Sequence, residues 1–135
     1  MKNTMANITR GLLVLTVVVC SILAAQPAPG LSPAAADSLI KADTTVVLLD
    51  VRTKGEFEGE LGHLKSAVLI PIDTLEHRLG DLPGDRTILV YCRSGRRSAI
   101  GTQLLRSKGY RAFNLEGGIL RWNQEHLPVV KERTE

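Results

Sequence analysis

The segment that begins at Cys92 combines residue types suited to nucleophilic sulfur chemistry. It runs Cys92-Arg93-Ser94-Gly95-Arg96-Arg97 and directly follows a strongly strand-like run. Gly95 lets the backbone curl, so that consecutive N–H groups can turn inward and bind an anion. A helix that begins near Ser98 places its positive end beside the sulfur and favours thiolate over thiol. The arginines add forked donors for an oxyanion, and the segment therefore predicts a reactive cysteine with an anionic substrate.

Each feature also has a plainer interpretation. Arginines on a surface loop are commonly solvated, and a cysteine at the end of a strand is commonly a core residue. The coincidence of cysteine, glycine and a strand-to-helix turn in one segment favours the functional interpretation.

The elements that must position this segment alternate between strand and helix. Apolar runs without polar alternation predict strands covered on both faces. Connections of this length require parallel pairing, so we expect an open α/β fold with helices on both faces of the sheet. Its ligands bind at the carboxyl ends of the strands, where Cys92 lies. The predicted strands are 45–49, 67–70, 87–91 and 111–115, and the predicted helices are 33–41, 53–57, 73–79 with Asp73 as cap, 98–106, and one that opens at Gly117-Gly118.

The N-terminal 25 residues have the layout of an export signal. Lys2 and Arg10 precede the uncharged apolar run Gly11–Ala25, which is shorter than a comfortable membrane span. Cleavage near Ala25 is the favoured interpretation, and an uncleaved anchor is the alternative. We therefore expect a signal or anchor at 1–25, a Pro/Gly-rich linker at 26–32, one domain at 33–130 and a tail at 131–135. The domain would then be periplasmic, either released or anchored in the inner membrane.

Cysteine usage and charge narrow the function further. Cys20 lies within the signal, so the exported domain would carry Cys92 alone and form no internal disulfide. The chain has 17 basic and 14 acidic residues; Lys2 and Arg10 fall within the signal, which leaves 15 against 14. That balance argues against nucleic-acid binding. Histidines and carboxylates lack metal-ligand spacing, so we expect no metal and no cofactor.

In the order and spacing of several segments, the chain resembles the rhodanese-like sulfurtransferase family in its single-domain exported form. The resemblance covers about 32–130, with two departures from the pattern. The family usually has glycine where Ser66 stands, and the stretch 58–61 is longer than usual. The segments that carry it are Leu48-Leu49-Asp50-Val51-Arg52, Glu56-Phe57, Gly62-His63-Leu64, Ala67-Val68-Leu69-Ile70-Pro71, Tyr91 to Ser98, and Asn114-Leu115-Glu116-Gly117-Gly118 with Trp122.

The resemblance implies a rhodanese-like open parallel sheet of about five strands and a persulfide carried on Cys92. It implies that a thiosulfate-like anion gives its outer sulfur to Cys92 and that cyanide, a thiol or a protein acceptor removes it. The donor anion would be held by the loop residues Arg93, Ser94, Gly95, Arg96 and Arg97. Asp50 and Arg52 resemble a structural pair of the family, and we expect Ser98 to support the site as well.

Three alternatives share parts of this pattern. Phosphatases and arsenate reductases related to rhodanese have an arginine six positions after the cysteine, whereas here Ser98 is sixth and Arg97 is fifth. A silent binding module of this fold typically lacks the cysteine. A thiol-disulfide oxidoreductase would need a partner cysteine, which the exported chain does not have.

Overall fold

The computed structural model describes residues 27–132, which form a five-stranded parallel sheet with helices on both faces. The α/β class predicted from the sequence is confirmed. The export signal predicted for 1–25 and the last residues of the tail lie outside the described residues. In chain order the elements are β1 Gly30–Leu31, α1 Pro33–Ala42, β2 Val47–Asp50, α2 Lys54–Phe57, β3 Val68–Leu69, a 3-10 helix Leu75–Asp81, β4 Ile88–Tyr91, α3 Arg96–Ser107, β5 Ala112–Leu115 and α4 Gly118–Gln124.

The strand order is β1-β5-β4-β2-β3, and every pairing is parallel. From β2 the chain continues to β3 on one side of the sheet, whereas from β4 it continues to β5 on the other side. This reversal of direction opens a crevice beyond the carboxyl end of the central strands, which is where ligands bind in open α/β sheets. Cys92 directly follows β4 and lies at that point.

Side chains of β4 alternate between two apolar cores. Val90 packs with Leu105 of α3 in one core, and Leu89 packs with Ala36 of α1 and Trp122 of α4 in the other. All four residues of β4 are buried, which explains why this strand has no polar alternation. Burying an aliphatic or aromatic side chain contributes roughly 1.5–3 kcal/mol, so the central strand is firmly held beneath the cysteine segment.

Helix α1 begins as its sequence predicts, because the Ser32 hydroxyl accepts a hydrogen bond from Ala35 N at 3.2 Å and Pro33 occupies the first turn. Helix α3 begins at Arg96, two residues before the predicted start, with Gly95 in the left-handed region at φ 94°. Gly109, also at positive φ, follows the end of α3, where a C′ glycine commonly ends a helix.

Two predictions need correction. Residues 73–79 were expected to form a helix capped by Asp73, but the structure has a 3-10 helix at Leu75–Asp81 that is preceded by Thr74 and lacks a side-chain cap. Its dihedrals are non-helical at Arg78, so the segment cannot continue as one α-helix. The segment 26–32 was expected to be only a linker, yet Gly30–Leu31 forms the edge strand β1 against β5.

Candidate active site

Cys92 is almost completely buried, with 1% of its surface exposed, at the base of the loop between β4 and α3. Two donors contact its sulfur: Gly95 N lies 3.1 Å and Ser98 Oγ 3.3 Å from Sγ. The left-handed conformation of Gly95 folds the loop back so that this amide reaches the sulfur. The segment therefore curls around Sγ as the sequence predicts.

These donors stabilise the thiolate against the cost of burial. Burial is the largest single influence on the Cys92 pKa and raises it, but hydrogen bonds from the Ser98 hydroxyl and from the amides of Ser98, Gly95 and Ser94 outweigh it. The net pKa of Cys92 is lowered from its ordinary value. A thiolate is the nucleophilic form of cysteine, so the site is suited to attack on sulfur or another soft electrophile.

The start of α4 holds the outer side of the loop. Ile119 N donates to the Cys92 carbonyl at 2.9 Å, and Leu120 N donates to the Arg93 carbonyl at 3.1 Å. Such close packing requires glycine at position 118, because a Cβ there would clash with the Arg93 carbonyl oxygen. The Gly117-Gly118 pair therefore does more than open a helix, and its role at the loop was not predicted.

Arg97 is bound to Glu56 of α2 by two hydrogen bonds, from Nη1 to Oε2 at 2.8 Å and from Nη2 to Oε1 at 2.7 Å. The same carboxylate accepts the Thr53 amide at 3.0 Å in a capping box. Chiefly because of Arg97, the pKa of Glu56 falls to about 2. The pKa of Arg97 is raised, first by Glu56 and to a smaller extent by Cys92. The sequence pattern includes Glu56 but does not predict that it pairs with Arg97 at the site.

Asp50 and Arg52 form a fully buried ion pair behind the site. Arg52 Nη2 lies 2.7 Å from Asp50 Oδ2 and also donates to the Gly62 carbonyl at 2.8 Å. The Arg52 guanidinium lies 5.6 Å from the centre of the Tyr91 ring. This pair connects the end of β2 to the turn at Gly62 rather than to the sulfur.

Comparison with known proteins decides the family. Residues 32–125 match the rhodanese-like domain. The chain belongs to the rhodanese-like domain family. It is 40% identical over 91 residues to a sulfurtransferase from Allochromatium vinosum, a match that covers 66% of this chain and 83% of that protein. The matches to four other curated relatives span between 28% and 59% of those proteins.

Solved structures share the same fold. A rhodanese-related protein from Thermoplasma volcanium is similar with a TM-score of 0.71 and 32% identity, over 77% of this chain and 99% of that one. A rhodanese-like domain protein from Staphylococcus aureus is similar with a TM-score of 0.66 and 28% identity, over 76% of this chain and 99% of that one.

In this rhodanese-like domain the other predicted loop residues lie at the mouth of the site. Arg93, Ser94 and Arg96 are exposed. Among residues 27–132, neither Arg93 nor Arg96 has a side-chain hydrogen bond or ion pair. Their charges are therefore available to an anion, whereas the charge of Arg97 is offset by Glu56. The loop presents two uncompensated arginines rather than three.

The remaining singled-out residues have structural roles. His63 stacks on Phe57 with ring centroids 3.9 Å apart, and its Nδ1 lies 3.0 Å from the Leu64 carbonyl. Trp122 is buried in the core and donates to the Pro128 carbonyl at 3.0 Å. Ser66, where glycine is usual in the family, adopts a left-handed φ of 63°. Within residues 27–132 no three His, Cys, Asp or Glu side chains are grouped so as to hold a metal ion.

Proposed function

We propose that this rhodanese-like domain is a sulfurtransferase that carries sulfane sulfur as a persulfide on Cys92. The observation that carries the proposal is the environment of Sγ: a buried thiol whose pKa is lowered by the Ser98 hydroxyl and the loop amides. The sulfurtransferase from Allochromatium vinosum, at 40% identity, supports the same reaction class. The donor we propose is a small sulfur-containing anion such as thiosulfate, and the acceptor is cyanide, a small thiol or a protein thiol.

In the loading step the Cys92 thiolate attacks the outer sulfur of thiosulfate. A new sulfur–sulfur bond forms at Sγ, the sulfur–sulfur bond of the donor breaks, and sulfite leaves with the bonding electron pair. The leaving group carries negative charge past Arg93 and Arg96 at the mouth of the site, where guanidinium groups stabilise an oxyanion. The inward amides then surround the persulfide sulfur.

In the unloading step the acceptor attacks the outer sulfur of the persulfide. With cyanide the product is thiocyanate, and with a thiolate it is a new persulfide; in both cases Cys92 leaves as a thiolate. The Ser98 hydroxyl and the Gly95 amide lower the energy of that leaving group as they do in the free enzyme. The same donors therefore serve both half-reactions, since both have the Cys92 thiolate at one end.

The test is the intact mass of the full chain after incubation with thiosulfate. Cys92 should gain the mass of one sulfur atom, which a reductant or cyanide removes, and cyanide should yield thiocyanate. Cys92→Ser should abolish both results, whereas the matched variant Cys20→Ser should retain them. Sulfur transfer by Cys92→Ser would overturn the proposal. Because the arginine five positions after the cysteine is one position short of the phosphatase spacing, we expect no hydrolysis of an aryl phosphate. Such hydrolysis by the unaltered chain, in place of sulfur transfer, would also overturn the proposal.

We also propose that the domain acts outside the cytoplasm. The support is the apolar run Gly11–Ala25 behind Lys2 and Arg10. Among residues 27–132 no helix has the length and hydropathy needed to cross a bilayer. Fractionation of a Gram-negative host should find the domain in the periplasm or on the outer face of the inner membrane. Recovery of the uncleaved chain from the cytoplasm would contradict this.

A further inference from the structure

Three carbonyl groups of the cysteine loop accept hydrogen bonds from neighbouring elements. Those of Cys92 and Arg93 accept hydrogen bonds from the first amides of α4. The carbonyl of Gly95 has a different partner, because Asn114 Nδ2 donates to it at 3.1 Å from the neighbouring strand β5. Ala99 N, in the first turn of α3, donates to the same oxygen at 3.1 Å. Three carbonyls of the loop are therefore fixed in direction.

Fixing these carbonyls also fixes the direction of the amides. In a trans peptide the C=O and N–H bonds point in opposite directions. The Arg93 carbonyl shares its peptide with the Ser94 amide, which is among the backbone groups that lower the pKa of Cys92. By the same geometry, binding of the Gly95 carbonyl turns the Arg96 N–H toward the interior of the loop. Because Arg96 is the first residue of α3, this amide has no partner within the helix.

Asn114 is an unusual residue for its location. Its residue surface is 8% exposed, and within residues 27–132 its Oδ1 has no hydrogen-bond partner. A buried amide oxygen without a partner lowers stability, so an apolar side chain of similar size would suit this core position better. The bond from Nδ2 to the loop is the interaction that accounts for an amide here.

We propose that Asn114 is a positioning residue for sulfur transfer, which holds the Gly95–Arg96 peptide so that the Arg96 amide faces the sulfur-bound anion. The proposal rests on the sulfurtransferase function. Asn114 touches neither the sulfur nor the substrate; it acts through the loop backbone. The amide it aims is a donor for the sulfite oxygens of thiosulfate or for the outer sulfur of the persulfide.

The experiment replaces Asn114 by leucine, which has similar size and no donor, in the full chain. The matched control is Asn123→Leu, because Asn123 Nδ2 likewise donates to a backbone carbonyl, that of Leu61, at 3.1 Å, from a partly buried position away from the loop. Three quantities are measured for each: thermal unfolding, the KM and kcat for thiosulfate, and the rate of Cys92 alkylation by iodoacetamide as a function of pH. Asn114→Ala is a second variant without the donor.

For Asn114→Leu we expect a melting temperature equal to or above that of the wild type, because an unpaired buried oxygen has been removed. We expect the KM for thiosulfate to rise about tenfold, equivalent to about 1.4 kcal/mol. We also expect the alkylation profile to move to higher pH, because Asn114 holds the carbonyl of Gly95, the residue whose amide donates to Cys92 Sγ. Asn123→Leu should change neither the KM for thiosulfate nor the alkylation profile of Cys92. The proposal is overturned if either Asn114 variant folds and keeps the wild-type KM and alkylation profile, or if Asn123→Leu shows the same losses.

Failure of the sulfurtransferase function can be told apart from failure of this proposal. If the wild type takes no sulfur from thiosulfate, the function is wrong, and the alkylation profile alone decides the role of Asn114. A profile that moves to higher pH in Asn114→Leu but not in Asn123→Leu supports the positioning role, and an unmoved profile refutes it.

Discussion

The ion pair between Glu56 and Arg97 allows a quantitative prediction, because its partners belong to different elements and its geometry is bidentate. We consider the variant Glu56→Gln, which keeps the size of the side chain and removes its charge. The pKa of Glu56 is about 2 against an ordinary 4.5. A difference of one unit corresponds to 1.36 kcal/mol, so the full shift would amount to roughly 3 kcal/mol of stability near neutral pH.

Solvent screening reduces that figure. The side chains of Glu56 and Arg97 are 29% and 35% exposed, so we expect Glu56→Gln to lower the free energy of unfolding by about 1–2 kcal/mol near neutral pH. The sign of the pH dependence follows from the lowered pKa. The folded state holds the carboxylate ionised at pH values where the unfolded state protonates it, so the contribution is present above about 4.5 and is lost as the pH falls toward about 2.

The assay is urea unfolding of both proteins near neutral pH and in acid. The difference between wild type and Glu56→Gln should be largest near neutral pH and should shrink toward zero in acid. Glu58→Gln is the matched control, because Glu58 follows the same short helix and its pair with Lys54, at 3.6 Å, is exposed. A difference that persists in acid would refute the electrostatic reasoning, and an equal effect of Glu58→Gln would refute the special role of Arg97.

Three further predictions follow from the loop and its surroundings. Ser98→Ala should move the alkylation profile of Cys92 to higher pH, because the hydroxyl 3.3 Å from Sγ is lost; an unmoved profile would contradict this. Ser66→Gly should raise the free energy of unfolding by roughly 0.5–1 kcal/mol, measured by urea unfolding, because glycine tolerates the φ of 63° found there. Gly118→Ala should reduce sulfur transfer and stability together, since its Cβ meets the Arg93 carbonyl; wild-type kinetics would show that the loop can move aside.

The central strands and the cysteine loop could be predicted from the sequence because their signals are local. The run before Cys92 is apolar on both faces, and the glycine in the loop lies three positions after the cysteine. Strand β1 could not be predicted in the same way. Gly30–Leu31 is two residues long and follows a Pro-rich segment, and it is a strand only because Asn114 and Leu115 offer it a parallel edge.

The contacts that support the loop are long-range, which is why they were missed. Glu56 lies 41 positions before Arg97, and its pattern with Thr53 indicates only a capping box. Asn114 lies 19 positions after Gly95. For Glu56 and Asn114 the sequence pattern predicts the helix or strand to which each residue belongs. It does not predict the hydrogen-bond partner, which depends on which strands are neighbours in the sheet.

The structure separates two effects that the sequence combines, namely the formation of the Cys92 thiolate and the attraction of an anionic substrate. The sequence attributes the reactivity of Cys92 to a helix start and three nearby arginines, but the donors that most lower its pKa are the Ser98 hydroxyl and the loop amides. The side chains of Arg93 and Arg96 remain exposed at the mouth of the site. We therefore assign thiolate formation to hydrogen bonds inside the loop and anion attraction to the arginines outside it. Replacing either arginine should weaken thiosulfate binding without moving the alkylation profile of Cys92, whereas Ser98→Ala should do the reverse.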